Sequence, residues 1–211
     1  MNGLADHLSG TGAISLASSI RSDMQNYVLR ELLPSAGSSN LAAWQTAVDP
    51  RLNEPSEMAD AMRINWNLWV PRQLLPVLAD SADPGTPRDG EHLAEAYTRH
   101  AQAQIRQAEG VSLRDYAAAG KVETTVTQLS RRSRELDLVN GWYEPRVFFL
   151  RHQKTTGLTL AAFAIMNGKP LPLDPVYGLP YKWDPAKHEL ALPDTPDRPK
   201  YKLKPIEVPK M

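Results

Sequence analysis

The chain has 211 residues, in which 24 Lys and Arg balance 24 Asp and Glu, with five His and no Cys. That length suits one sizeable core with an appendage, and the zero formal charge argues against a nucleic-acid partner. Without cysteine there is no disulfide, thiolate zinc site, thiol nucleophile or iron–sulfur ligand, and the compartment stays open between a reducing cytoplasm and an oxidising periplasm.

The N-terminus, MNGLADHLSGTGAISLASS, lacks the positive start and unbroken apolar run of a signal peptide, and no segment reaches the ~20 apolar residues that span a bilayer. The expectation is a soluble chain, either on its own or as the soluble part of an anchored parent. Ile14, Ala17, Ile20, Met24, Tyr27 and Val28 then recur at helical spacing until Leu33-Pro34. Asn40 is placed to cap a short helix through Val48, closed by Asp49-Pro50.

Ser56 is read as the N-cap of an amphipathic helix with the stripe Met58, Met62, Trp66, Trp69 and Val70, interrupted by Pro71 and Pro76. Aromatics inside an apolar stripe usually pack, although Trp66 and Trp69 also suit a ligand platform. Asp80 to Gly90 is the clearest loop of the first half and the place for any boundary. From Glu91 to Ala108 a helix carries Leu93, Tyr97, His100, Gln104 and Ile105 on one side.

That helix also gathers Glu91, His92, Glu95 and His100. A di-iron bundle needs Glu-x-x-His on each of two helices, whereas one His-x-x-Glu stands here in reverse order with no counterpart. No metal site or other cofactor is therefore expected. A helical link over Val111 to Ala119 follows, and a further helix with the stripe Val122, Val126, Leu129, Leu136 and Val139. Arg131, Arg132 and Arg134 lie beside Glu135 and Asp137, which reads as a solvated face of mixed charge.

After Glu144-Pro145 comes the last helix, Arg146 to Met166, with Lys154 and Gly157 interrupting its apolar stripe and Asn167-Gly168 as its left-handed stop. Pro170, Pro172, Pro175, Pro180 and Pro185 then exclude helix. Leu179 to Trp183 and Glu189 to Leu192 are expected to pair as a hairpin around a turn at Asp184 to Lys187, with Tyr177, Tyr181 and Trp183 on one face. Asp174 is placed to bond nearby amides, and Gly178 to permit the turn.

The run Asp174-Pro175-Val176-Tyr177-Gly178-Leu179-Pro180-Tyr181-Lys182-Trp183, following a helix that ends in N-G-K-P, resembles the D-P-W-G-x-P-Y-x-Y segment of the major pseudopilins of type II secretion. It is also similar to the D-P-F-x-G-x-P-L-x-Y segment of bacterial proteins that are often membrane-anchored. The match covers roughly Ala161 to Leu192 and implies a local helix-to-hairpin structure in a periplasmic or envelope-associated protein. The long apolar assembly helix of a pseudopilin has no counterpart here. Asp194 and Asp197, separated by Pro196, do not supply a calcium ligand set.

The remaining residues, 193–211, form a proline- and lysine-rich tail in which Tyr201, Lys202, Leu203 and Lys204 alternate as an extended segment. It suits strand addition to a sheet edge of its own domain or of a partner, or a solvated tail that guards an edge. The expected fold is mainly α: a multi-helix, bundle-like domain over 1–192 ending in a small hairpin, then the extended tail. No nucleophile elbow, phosphate loop, zincin or dinucleotide motif occurs. The favoured function is a non-enzymatic structural or interaction protein that binds another protein or a second copy of itself, in an envelope or other multiprotein assembly. The alternatives are a metal-dependent hydrolase on Glu91, His92, Glu95 and His100, and a small-molecule site lined by Trp66, Trp69, Tyr177 and Trp183.

Overall fold

The structure is a computed structural model and describes residues 23–37, 39–48, 50–69, 90–119, 145–195 and 203–210. It is mainly α, with a small antiparallel sheet near the C-terminus. Two compact units emerge, one from Met1–Ala17 and Glu54–Pro145, the other from Ser18–Asn53 and Arg146–Met211. The loop expected at Asp80 to Gly90 (apart from Gly90), the helix expected from Val122 and the arginines at 131, 132 and 134 lie outside the described residues.

In unit 1, α2 (Pro55–Trp69) packs on α3 (Gly90–Ala108), with α4 (Leu113–Ala118) following. The α2 helix begins one residue before Ser56, because Pro55 has its φ preset for the first helical position and no amide to leave unbonded. Glu57 Oε1 accepts from the Glu54 amide at 3.1 Å, so Glu54 rather than Ser56 occupies the cap. Met58 and Ala59 are buried on α2, as are His100, Ala101 and Ala108 on α3. Arg63 pairs with Asp60 and with Glu109. Ser112 caps α4 by accepting from the Asp115 amide at 3.1 Å.

Unit 2 opens with a helical segment, residues 23–27, that widens to a π turn over Val28–Leu32 and tightens to a 3₁₀ turn over Leu33–Ser35. The widened turn carries the buried face through Gln25, Leu29 and Leu33. Tyr27, expected in the buried stripe, is 56% exposed, because it stands two residues from both Gln25 and Leu29 and so falls on the opposite side of the helix. Helix α1 (Leu41–Val48) follows, with Asn40 Oδ1 accepting from the Gly37 amide at 2.8 Å. The long helix α5 (Pro145–Met166) then supplies Leu158, Ala161, Ala162, Phe163 and Met166 to one core with Leu29, Leu33, Leu41 and Val48.

Gly168 ends α5 at φ +62°, with its amide on Ile165 O at 3.0 Å and the Lys169 amide on Ala164 O at 2.9 Å. These two bonds form a Schellman motif. Beyond it, strands β1 (Lys182–Asp184), β2 (Glu189–Ala191) and β3 (Ile206–Glu207) form an antiparallel sheet in that order. The expected hairpin is therefore the first two strands of three, and the third comes from the tail. Replacing Gly168 with Ala forces a Cβ into the left-handed region and is expected to lower stability by ~1 kcal/mol. Gly37→Ala, whose Cβ meets nothing within 4 Å, should leave it within about 0.5 kcal/mol by chemical denaturation.

Candidate functional site

The proline-rich loop and the middle of α5 bring together a buried group of polar side chains in unit 2. Around Gly157 the helix is buried on every side: His152, Gln153, Lys154, Thr155, Thr156, Leu158 and Thr159 are each at most 2% exposed. Most of these polar side chains are hydrogen-bonded, to the helix's own carbonyls or to distant segments, while Gln153 Nε2 has no hydrogen-bond partner among the described residues. Thr155 and Thr159 hydroxyls donate to the carbonyls of Arg151 and Thr155, at 2.8 and 2.9 Å. Thr156 Oγ1 donates to Gln25 Oε1 at 2.9 Å, and Gln153 Oε1 accepts from the Asn53 amide at 3.0 Å.

Lys154 is 1% exposed. Its Nζ donates to Thr195 Oγ1 at 3.2 Å and stands 4.9 Å from the centre of the Tyr177 ring. The ammonium thus gains a cation–π contact where burial removes water from it.

Asp174 organises the loop. Its Oδ2 accepts from the amides of Tyr177, at 2.8 Å, and Val176, at 3.2 Å, while its backbone amide donates to Leu179 O and its carbonyl accepts from Gly178 N, each at 2.8 Å. Gly178 takes φ +66°, and Leu173 bridges to Pro180. Pro175 and Tyr181 then press against α5 at Gly157. A Cβ there would lie 2.5 Å from Pro175 Cδ and collide with the Tyr181 hydroxyl. Tyr181 is 6% exposed, its hydroxyl has no hydrogen-bond partner among the described residues, and burial, with the Asp174 charge adding, keeps the phenol protonated well above the usual tyrosine range.

At the hairpin, Asp184 Oδ1 accepts from the amides of Ala186, at 3.0 Å, and Lys187, at 3.1 Å. The Lys187 amide is the main reason that this exposed carboxyl is held below the usual carboxylate range. Trp183 packs against the core and stands edge-on to His188, with ring centres 5.8 Å apart. The tail docks beside it. Ile206 and Val208 are 2% and 0% exposed, Val208 N donates to His188 O at 2.8 Å, and Arg30 donates to Lys204 O at 2.9 Å and to Pro205 O at 3.4 Å.

The residues singled out in the sequence are distributed as follows. Tyr177 lies in the turn under Lys154, not on the strand that carries Trp183, so the two aromatics are held by different neighbours. Trp66 and Trp69 belong to α2, and their side chains lie outside the described set, as do those of Glu91, His92 and Glu95 on α3. His100 is 1% exposed. No group of three or more potential metal ligands occurs among the described residues. Tyr201 and Lys202 are outside them, Leu203 is half-buried against the core, and Lys204 is exposed. Sequence reading missed Gly157 as a contact point and Arg30 as the clasp of the tail. The one available signal was a glycine inside an otherwise helical run.

Comparison of the chain with protein-family models, curated proteins and solved structures finds no match in any of the three.

Gly157→Ala should cost ~2 kcal/mol despite its better helix propensity, through overpacking. Tyr181→Phe should be near neutral because it removes an unsatisfied hydroxyl, and the double variant should recover about half of the loss, the Pro175 clash remaining. Urea unfolding of the three variants measures all of these effects. For Asp184, a carboxyl with a depressed folded pKa stabilises above its unfolded value and loses that stabilisation as pH falls through the folded one. The Ala186 and Lys187 amide resonances should therefore titrate below pH ~4 and stop doing so in Asp184→Asn.

Proposed function

We propose that this chain is a non-enzymatic interaction protein, working within an assembly of the bacterial cell envelope. The observation that carries this reading is the pair Leu173 and Leu179, 59% and 39% exposed, at the two ends of a loop whose backbone is locked through Asp174 and Gly178. Large apolar side chains held at the surface on a rigid turn lose little entropy on docking, which is the economy of a preorganised contact. Within the same loop the Asp174 carboxylate is turned onto the amides of Val176 and Tyr177, and the Tyr177 ring lies against Lys154 of α5. They build the platform and leave the two leucines outside it. The envelope setting is supported by the resemblance of Asp174 to Trp183 to the pseudopilin segment. No helix among the described residues is long and apolar enough to cross a membrane.

A photo-crosslinking amino acid placed at Leu173 tests it in cells. The expected result is a discrete adduct, identified by mass spectrometry, that Leu179→Asp abolishes without changing the melting temperature. An adduct pattern equal to that from exposed Ala42 overturns the reading.

A further inference from the structure

The slot that holds β3 grips its occupant almost wholly by features that any extended strand can supply. Arg30 reads two backbone carbonyls, those of Lys204 and Pro205, and His188 O reads a backbone amide, that of Val208. Two apolar pockets take Ile206 and Val208, and Leu190 is the buried cross-strand partner of Ile206. The remaining cross-strand pair is a mismatch. Glu189 lies directly opposite Glu207, both exposed, and Asp184 lies opposite Glu189 on the other side. Like charges directly across an antiparallel pair destabilise it, whereas opposite charges stabilise it.

We infer that the β3 slot is a strand-acceptor site, plugged in this chain by its own tail, for an extended segment of a partner protein with the pattern apolar–basic–apolar. Such a segment keeps the backbone bonds to Arg30 and His188, fills the same two pockets, and places its basic residue against Glu189 where the tail places Glu207. Displacement is favoured over addition outside β3, because the slot offers pockets for alternate side chains as well as backbone groups. The tail stays in place without a partner because its tether gives it an effective concentration in the millimolar range.

The inference deepens the interaction reading but stands on a different surface from Leu173 and Leu179, so either can fail without the other. The test uses the full chain and two fluorescent peptides: residues 203–210 as they stand, and the same peptide with Glu207→Lys. Anisotropy should show the lysine peptide binding about three- to tenfold more tightly. Glu189→Lys, an exposed substitution, should reverse that order. Ile206→Ala in the full chain weakens the resident plug and should tighten both peptides. Absence of saturable binding to the unmodified chain and to the Ile206→Ala chain overturns the proposal, as does an order of preference that Glu189→Lys leaves unchanged.

Discussion

The approach of Pro175 and Tyr181 to Gly157 sets the distance between the proline-rich loop and α5. Any side chain at that position would hold the loop away from the helix by the width of a methyl group. Tyr181 joins the same core as Leu190, Leu192, Ile206 and Val208, so lifting the loop would also disturb the packing of the sheet. One helix turn before Gly157, Lys154 meets Tyr177 and Thr195, on either side of the hairpin in sequence. The backbone entropy lost by a glycine inside a helix is offset by this close packing.

The middle of α5, buried all round yet carrying a run of polar residues, is an unusual solution. An all-round buried helix is ordinarily apolar. Here the threonines return their hydroxyls to the helix's own carbonyls or to Gln25, and Gln153 reaches the backbone of Asn53. Each bond adds only ~1 kcal/mol net, but an unmade one would cost more, so the arrangement specifies partners more than it adds stability. That is why the segments 23–53 and 146–195 of unit 2 meet in one register.

Much of this was legible in the sequence wherever the signal was local. The end of α5 at Asn167-Gly168, the turn at Asp184-Pro185, the Asp174 loop and the strands on either side follow from chemistry within a few residues. The start of α2 was displaced because Pro55 is a stronger N-terminal signal than the serine after it. Tyr27 was misplaced because the buried face runs through Gln25, Leu29 and Leu33, and its polar first member hides it from a search for apolar stripes. The roles of Arg30 and Gly157 were not legible at all, since their partners stand far away in sequence and no periodicity encodes them. The tail was legible only as an alternation, and which edge it would join depended on a core that the sequence does not display.

The clasp of Arg30 on the Lys204 carbonyl joins positions 174 residues apart. On a ribosome, the N-terminal part of unit 2 emerges while its closing strand has yet to be made, and synthesis at roughly 5–20 residues per second leaves a gap of about ten to thirty seconds. Leu29, Leu33, Leu41 and Val48 spend that time without Ile206 and Val208 to cover them. Unit 2 is thus closed only once residues 203–210 have been made, and its apolar face is a natural client for a chaperone until then.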